Sequence, residues 1–155
     1  MKGLRNFIQT NVTDASGAAL TKDMIGNAAQ AIYEKGGFAS GGDYCLCVSA
    51  KQKRALSAID ENKILLTRGE NTRGQVVDKF VTDFGEFEVT LNNNLASGEI
   101  FLCDRNRMAI RPLQDRAFFH KYLGEKGDST NGILVGEYTF ELRQEKAFAR
   151  IKGLA

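Results

Sequence analysis

The chain has 155 residues, of which 43% are apolar and 26% are charged, a composition typical of one globular domain that folds in water. This composition excludes intrinsic disorder, collagen-like sequence and a membrane protein. The 21 basic and 19 acidic residues leave a formal net charge of +2, which gives no electrostatic sign of a nucleic-acid or anionic-membrane partner. With 16 glycines and a single proline, Pro112, the turns must be built with Gly, Asn and Asp.

The first part of the chain has the pattern of a helix, a strand and a second helix. Apolar side chains recur every three or four residues between Thr21 and Lys35, which predicts a helix with Thr21 as its N-cap and the glycines at 36–37 as its end. The next apolar run, at 44–48, has little polarity on either face, so we expect a strand at the centre of a sheet. A second helix is predicted over 49–60, capped by Ser49.

From residue 64 onward the pattern changes to strands. We expect strands at 64–66 and 76–82, joined by an exposed polar loop at 68–74. Residues 83–85 are predicted to form the turn of a hairpin, because apolar and polar side chains alternate directly after them. Further strands are predicted at 86–91, 99–103, 108–111, 138–142 and 147–151, with an aromatic segment at 118–122 between them.

Residues that carry chemistry in other proteins are present, but their spacing does not favour a catalytic or metal site. Cys45, Cys47, Cys103 and the single histidine, His120, have the ligand number of a Cys3His zinc site. Their spacing is not that of a zinc knuckle, so buried free thiols in a reducing compartment are favoured. A nucleophilic Cys–His pair would lack an orienting third group, and the Asp-Phe-Gly tripeptide at 83–85 lacks the rest of the kinase signature. The sequence therefore predicts neither an enzyme nor a cofactor.

Six arginines lie in predicted loops or at strand ends, interleaved with acidic residues. The guanidinium group pairs well with carboxylates, and this leaves two interpretations open. The arginines form salt bridges between subunits, or they form exposed pairs that contribute little to stability. Nucleic-acid binding is less favoured than either, because the acidic residues are interleaved too closely. The arginines are Arg68, Arg73, Arg105, Arg107, Arg111 and Arg116, with Glu70, Asp104 and Asp115 among their acidic neighbours.

A series of motifs runs in a fixed order along nearly the whole chain. They are GLRNFI at 3–8, AAQAI at 28–32, AKQKR at 50–54, TDFG at 82–85, IRPL at 110–113, FFH at 118–120, YLGEKGD at 122–128, VGEYTFE at 135–141 and EKAFARIKGL at 145–154. In this order they resemble the major capsid protein family of tailed bacteriophages.

The resemblance implies the Hong Kong ninety-seven type of capsid fold, which agrees with the α+β class that the residue patterns predict. In this interpretation 1–20 is an N-terminal lead-in and 21–115 is an axial-domain-like mixed sheet with flanking helices. Residues 116–155 are a connecting segment and a peripheral-domain-like β-hairpin. Members of the family are about twice as long, and the N-terminal arm, the extended loop and the spine helix are the parts not found here. The chain therefore resembles the C-terminal half of a capsid subunit.

The resemblance also implies a function. We expect a structural protein of a phage or prophage capsid that associates with copies of itself into capsomers, as pentamers and hexamers, and into a shell. It would be found in the virion, and in the cytoplasm of the bacterial host before assembly, with at most indirect contact with DNA. The isolated chain is expected to be a monomer or small oligomer. The alternative is a non-enzymatic, prophage-derived binding module that docks on capsid subunits or on DNA.

The candidate residues for subunit contact combine charged and aromatic side chains. The loop at 68–74 is expected to be a finger at the capsomer axis, and the exposed strand edges are expected to be covered by a neighbour. The candidates are Arg68, Glu70, Arg73, Arg105, Arg107, Arg111, Arg116, Phe118, Phe119 and His120.

Overall fold

A computed structural model of the chain describes residues 3–38, 41–59 and 79–155 and has the α+β architecture that the sequence predicts. The described helices are α1 (Leu4–Phe7), α2 (Lys22–Glu34) and α3 (Ala50–Ile59). The described strands are β1 (Val12–Asp14), β2 (Tyr44–Val48), β3 (Lys79–Thr82), β4 (Gly85–Leu91), β5 (Ile100–Asp104), β6 (Met108–Pro112), β7 (Phe119–Lys126), β8 (Ser129–Val135), β9 (Tyr138–Leu142) and β10 (Ala149–Lys152).

A six-stranded mixed sheet, in the order β1-β10-β5-β2-β4-β3, forms the centre of the fold. Strand β2 lies between antiparallel β5 and parallel β4, as its apolar character on both faces predicts. The hairpin of β3 and β4 is also confirmed, since Thr82 pairs with Gly85 across a two-residue turn at 83–84. Leu91, the last of the apolar side chains that alternate along β4, is exposed at the end of that strand.

Helix α2 covers one face of the sheet, and its ends are those that the sequence predicts. The Thr21 hydroxyl accepts a hydrogen bond from the Met24 backbone N–H at 3.3 Å, and Gly36 takes a φ of +70° directly after the helix. The apolar face of α2 packs into the main core, where its buried residues are Ile25, Ala28, Ala29 and Ile32. Capping and periodicity together therefore specify this element.

The ends of the described chain meet in the central sheet. Strand β10 lies between β1 and β5, and β1 pairs with it in parallel, with Val12 opposite Arg150. Ile8, in the lead-in, is buried beside Phe148. The division into 1–20, 21–115 and 116–155 stays a prediction, and strands from its first and last regions pair directly.

Part of the predicted strand region lies outside the described residues. This applies to the strand at 64–66, the loop at 68–74 and the first residues of the strand at 76–82, whose end forms β3. Among the helices that the structure describes, the longest has 13 residues, and none has the length and apolar character that crossing a membrane requires.

Candidate self-association surface

A long two-stranded ribbon leaves the central sheet after β5. Its base is the antiparallel pair of β6 and β9, with Met108 opposite Leu142, and its outer part is the antiparallel pair of β7 and β8. A two-residue turn closes the tip, where Gly127 has a φ of +64°, a conformation that suits glycine in a tight hairpin. We call the segment 108–142 the ribbon.

The two parts of the ribbon are joined by an ordered connection. The Leu113 backbone N–H donates to the Glu137 carbonyl at 2.9 Å, and the Glu137 N–H donates to the Arg116 carbonyl at the same distance. The Arg116 guanidinium lies 2.7 Å from the Glu137 carboxylate. The ring of Phe118 packs on that of Tyr138, with centroids 4.8 Å apart. These contacts make the ribbon continuous from its base into β7 and β8.

The base of the ribbon is anchored, whereas its outer part is exposed. Met108 and Leu142 pack against a buried cluster below the sheet, and Phe140 contacts Phe7 of α1. Beyond this base, large apolar side chains face solvent, with Phe118 69% and Leu134 68% exposed. The exposed set on the ribbon is Ile110, Leu113, Phe118, Phe119, Tyr122, Leu123, Ile133 and Leu134.

Both faces of the outer ribbon carry apolar groups. Phe119 pairs with Val135, and Lys121 pairs with Ile133, so these side chains share one face. His120 pairs with Leu134 on the opposite face. A two-stranded hairpin is at best marginally stable alone in water, and apolar patches of this size on a soluble protein mark interaction sites. Within the described residues β7 and β8 pair only with each other, which leaves both outer edges available to a further strand.

Two glycines allow the aromatic candidates to lie flat on the ribbon. A Cβ atom at Gly132 would come within 2.1 Å of the His120 imidazole, and one at Gly136 within 2.5 Å of the Phe118 ring. The imidazole therefore lies over the backbone of β8, and the phenyl ring lies over the backbone at Gly136, just after β8. Phe118, Phe119 and His120, which the sequence singles out, all lie in this exposed region.

The two predicted arginines on the ribbon pair with carboxylates of the same chain. Arg111 Nε lies 2.5 Å from Glu141, which also contacts Arg143 Nε at 3.0 Å, and Arg116 pairs with Glu137. The hydrogen bonds from Arg111 and then Arg143 lower the pKa of the Glu141 carboxyl. Contact between these arginines and a neighbouring subunit stays a prediction.

Arg105 and Arg107 lie on the body of the protein, in the short 3-10 turn after β5. Arg105 pairs with Glu88 and with Asp43, and its Nη2 donates to the Thr90 hydroxyl at 2.8 Å. Arg107 pairs with the buried Asp104 at 3.3 Å and donates to the Gly37 carbonyl at 2.7 Å. Both side chains therefore connect neighbouring segments of the chain.

The remaining candidates, Arg68, Glu70 and Arg73, lie outside the described residues. An ion-pair cluster that sequence reasoning missed lies at the sheet, where Glu99 contacts Arg150 at 2.6 Å and Arg5 at 2.8 Å. These partners are separated by 51 and 94 positions in the chain. No local pattern links residues so far apart.

The structure also brings the three cysteines together, contrary to the expectation from their spacing. Their Sγ atoms all lie within 4.8 Å of one another, and the described group includes neither His120 nor a carboxylate. Hydrogen bonds from Cys103 and then Cys45 stabilise the thiolate of Cys47 and lower its pKa to about 3. Hydrogen bonds with Cys45 and then Cys47, together with burial, raise the pKa of Cys103 well above its usual value.

Comparison with protein-family models identifies the family of the chain. The sequence model of the SU10 major capsid protein family matches residues 1–155. The chain belongs to this family. The resemblance to the major capsid proteins of tailed phages is confirmed. No curated protein matches the chain significantly.

Three solved structures are similar in fold to this SU10-family chain. They are a virus-like particle from Pyrococcus furiosus (TM-score 0.53, 12% identity, 96% of this chain and 58% of that chain), the holo-SrpI encapsulin complex from Synechococcus elongatus PCC 7942 (0.62, 11%, 98% and 56%) and Mycobacterium phage Patience (0.61, 9%, 95% and 48%). At these identities the likeness shows the fold, and the predicted capsid fold class is confirmed. The chain spans about half the length of these proteins.

Proposed function

We propose that this SU10-family chain builds a capsid shell by packing against copies of itself, and that the ribbon is a main contact between copies. The observation that carries the proposal is the set of large apolar side chains exposed on both faces of a two-stranded ribbon. Such a surface is covered in a stable assembly, because its exposure to water is unfavourable. A second copy is the natural partner for a protein whose structural neighbours are shells.

The apolar side chains are the stronger contributors to this contact. Fully burying a side chain such as Phe118 or Leu134 contributes roughly 1.5–3 kcal/mol, whereas an exposed ion pair contributes about 0–1 kcal/mol. Arg111 and Arg116 are already paired within the chain, so rearranging them toward a neighbour would first break those pairs. We therefore assign affinity to the apolar groups and orientation to the arginine–carboxylate pairs.

The assembly that we propose is a closed, symmetric arrangement of identical subunits. Copies would group into capsomers, pentamers and hexamers, in which each subunit uses the same surfaces, and the shell would form in the host cytoplasm. The role is structural and not catalytic. DNA binding is less favoured, because Arg105, Arg107, Arg111 and Arg116 each have an acidic partner within the chain.

Sedimentation velocity over a range of concentrations tests the ribbon contact. The wild-type chain is expected to associate into small oligomers as its concentration rises. Leu134→Lys places a charge on the exposed outer ribbon. We expect it to weaken this association by more than about tenfold, because the contact between copies would then bury an unpaired charge in place of a leucine. Leu91→Lys is the matched control, because Leu91 is 59% exposed on β4, away from the ribbon.

The control also defines the result that would contradict the proposal. If Leu134→Lys associates as the wild type does, or if Leu91→Lys alone weakens association, the ribbon is not a main contact. A wild-type chain that stays monomeric at all concentrations but shifts on adding DNA would favour the binding-module alternative.

A further inference from the structure

The three cysteines occupy one face of the central sheet, at the meeting of β2 and β5. Cys45 lies directly opposite Cys103 in the antiparallel register. Cys47 is two residues from Cys45 in the same strand, so its side chain leaves the sheet on the same side. Strand pairing therefore fixes the backbone of all three residues before any ligand binds.

The surroundings of this cluster are apolar on one side and open on the other. Cys45 and Cys103 are buried beside Ile8, Phe101 and Phe148. Cys47 is only partly buried, which gives a small ion a route to the sulfur atoms. Apolar surroundings with one partly exposed sulfur ligand suit a bound ion, because an apolar shell limits the access of water to the ion.

The distances between the sulfur atoms fit a tetrahedral thiolate site. A Zn–S bond of about 2.3 Å places neighbouring sulfurs about 3.8 Å apart in a tetrahedron. The Sγ atoms of Cys45 and Cys47 are 3.9 Å apart, and Cys103 completes a group within 4.8 Å. Only a small movement of the Cys103 side chain is needed to bring all three into a single coordination sphere.

We propose that Cys45, Cys47 and Cys103 bind a thiophilic divalent cation, Zn²⁺, with solvent as the fourth ligand on the side of Cys47. All three cysteines coordinate the ion as thiolates, and those still protonated release their protons to water, so three thiolates and one Zn²⁺ carry a net charge of −1. The positive charge of Arg105 acts on Cys45 and Cys47 and partly offsets this charge. The ion would cross-link β2 to β5.

Metal retention by the reduced 155-residue chain tests this site. The chain is stripped with a chelator, reloaded with Zn²⁺, dialysed and measured by elemental analysis, and Cd²⁺ is added separately to record the ultraviolet charge-transfer band of thiolate ligands. We expect one zinc ion per chain, a thiolate–Cd²⁺ band, and a rise in the thermal unfolding temperature with Zn²⁺. Cys47→Ser, at the partly exposed position, is expected to lose all three signals.

His120→Ala is the matched control, since it removes an exposed histidine on the ribbon that could bind zinc adventitiously. Full retention by this variant supports the cysteine site. Zinc that is lost with His120→Ala but kept with Cys47→Ser would overturn the proposal. So would the absence of both retained zinc and a Cd²⁺ band in the wild-type chain, a readout that does not depend on any variant folding. The capsid role predicts neither result, so the two proposals fail independently.

Discussion

Gln52 is a polar side chain inside an otherwise apolar part of the core. Its amide donates to the Ser97 carbonyl at 3.0 Å and to the Ala155 carbonyl at 3.1 Å, which ties α3 to two distant segments. Only 1% of Gln52 is exposed. The helical pattern of α3 does not reveal this role, because the carbonyls that it binds come from residues 45 and 103 positions away.

Replacing this amide is expected to cost stability. Gln52→Ala removes the amide donor of the Ala155 carbonyl and one of two donors of the Ser97 carbonyl, which keeps the Ser49 hydroxyl, and we expect the free energy of unfolding to fall by about 1–3 kcal/mol in denaturant titration. Gln30→Ala is the matched control, because Gln30 is exposed on α2 and its amide donates to the Glu34 carboxylate at 2.7 Å. A loss no larger than that of the control would show that the two bonds contribute little.

Glu145 holds the N-terminal segment in place and makes stability depend on pH. Its carboxylate accepts hydrogen bonds from the Gln9 and Thr10 backbone N–H groups at 2.8 and 2.7 Å, and from the Thr10 hydroxyl at 2.6 Å. Desolvation raises the pKa of Glu145, but these hydrogen bonds outweigh it and lower the pKa below the ordinary value of 4.5.

The sign of the pH effect follows from this direction. Because the folded pKa is below the unfolded one, the stabilisation is complete above pH 4.5 and is lost as the pH falls through the folded value. We expect Glu145→Gln to be less stable than the wild type at pH 7, with a difference that shrinks in acid. Urea titrations at pH 7 and below pH 4 measure this, and Glu34→Gln controls for loss of one charge. A constant difference would contradict the assignment.

Helix α2 contains a glycine whose replacement is expected to stabilise the protein. Gly26 lies inside the helix, and a Cβ atom there would meet nothing within 4 Å. We expect Gly26→Ala to raise the free energy of unfolding by about 0.5–1 kcal/mol, because alanine loses less backbone entropy on forming a helix. Thermal unfolding measures the change.

Gly37, just after α2, differs from Gly26 because there is no space for a side chain. A Cβ atom there would lie 2.9 Å from the Ala147 Cα and 2.9 Å from the Ile32 carbonyl oxygen, both backbone atoms that cannot easily move. Gly37→Ala is therefore expected to destabilise the protein in the same assay. Equal effects of the two substitutions would contradict the packing described for this end of the helix.

Local signals in the sequence predict single elements well and pairings between elements poorly. Thr21 and the glycines at 36–37 specify both ends of α2, and the apolar run at 44–48 specifies a central strand. The same signals do not show that Cys103 lies opposite Cys45, or that β10 lies between β1 and β5. Those facts depend on non-local strand pairing, which leaves no periodic pattern in one sequence.

The candidate surface could be predicted only in part, for the same reason. Phe118, Phe119 and His120 were singled out by the family motifs, and they lie on the exposed ribbon. Leu134 and Ile133 were not, because their segment has adjacent apolar residues and no alternation of apolar and polar side chains, so the sequence analysis predicted no strand there. Exposure of that kind becomes evident only when the strand pairing is known.

Membership of the SU10 major capsid protein family supports the structural role that we propose for the whole molecule, and the ribbon gives that proposal a physical basis. The body of the protein buries its apolar side chains in two clusters around the six-stranded sheet. The outer ribbon instead leaves large apolar side chains exposed. Our proposal is that a neighbouring subunit covers them.

An electron cryomicroscopy reconstruction of the shell that contains this chain tests that claim most directly. The account predicts that Phe118, Ile133 and Leu134 are covered by a neighbouring subunit, with β7 or β8 against its surface. A shell in which the outer ribbon stays in solvent, while subunits meet only through the body, would contradict it.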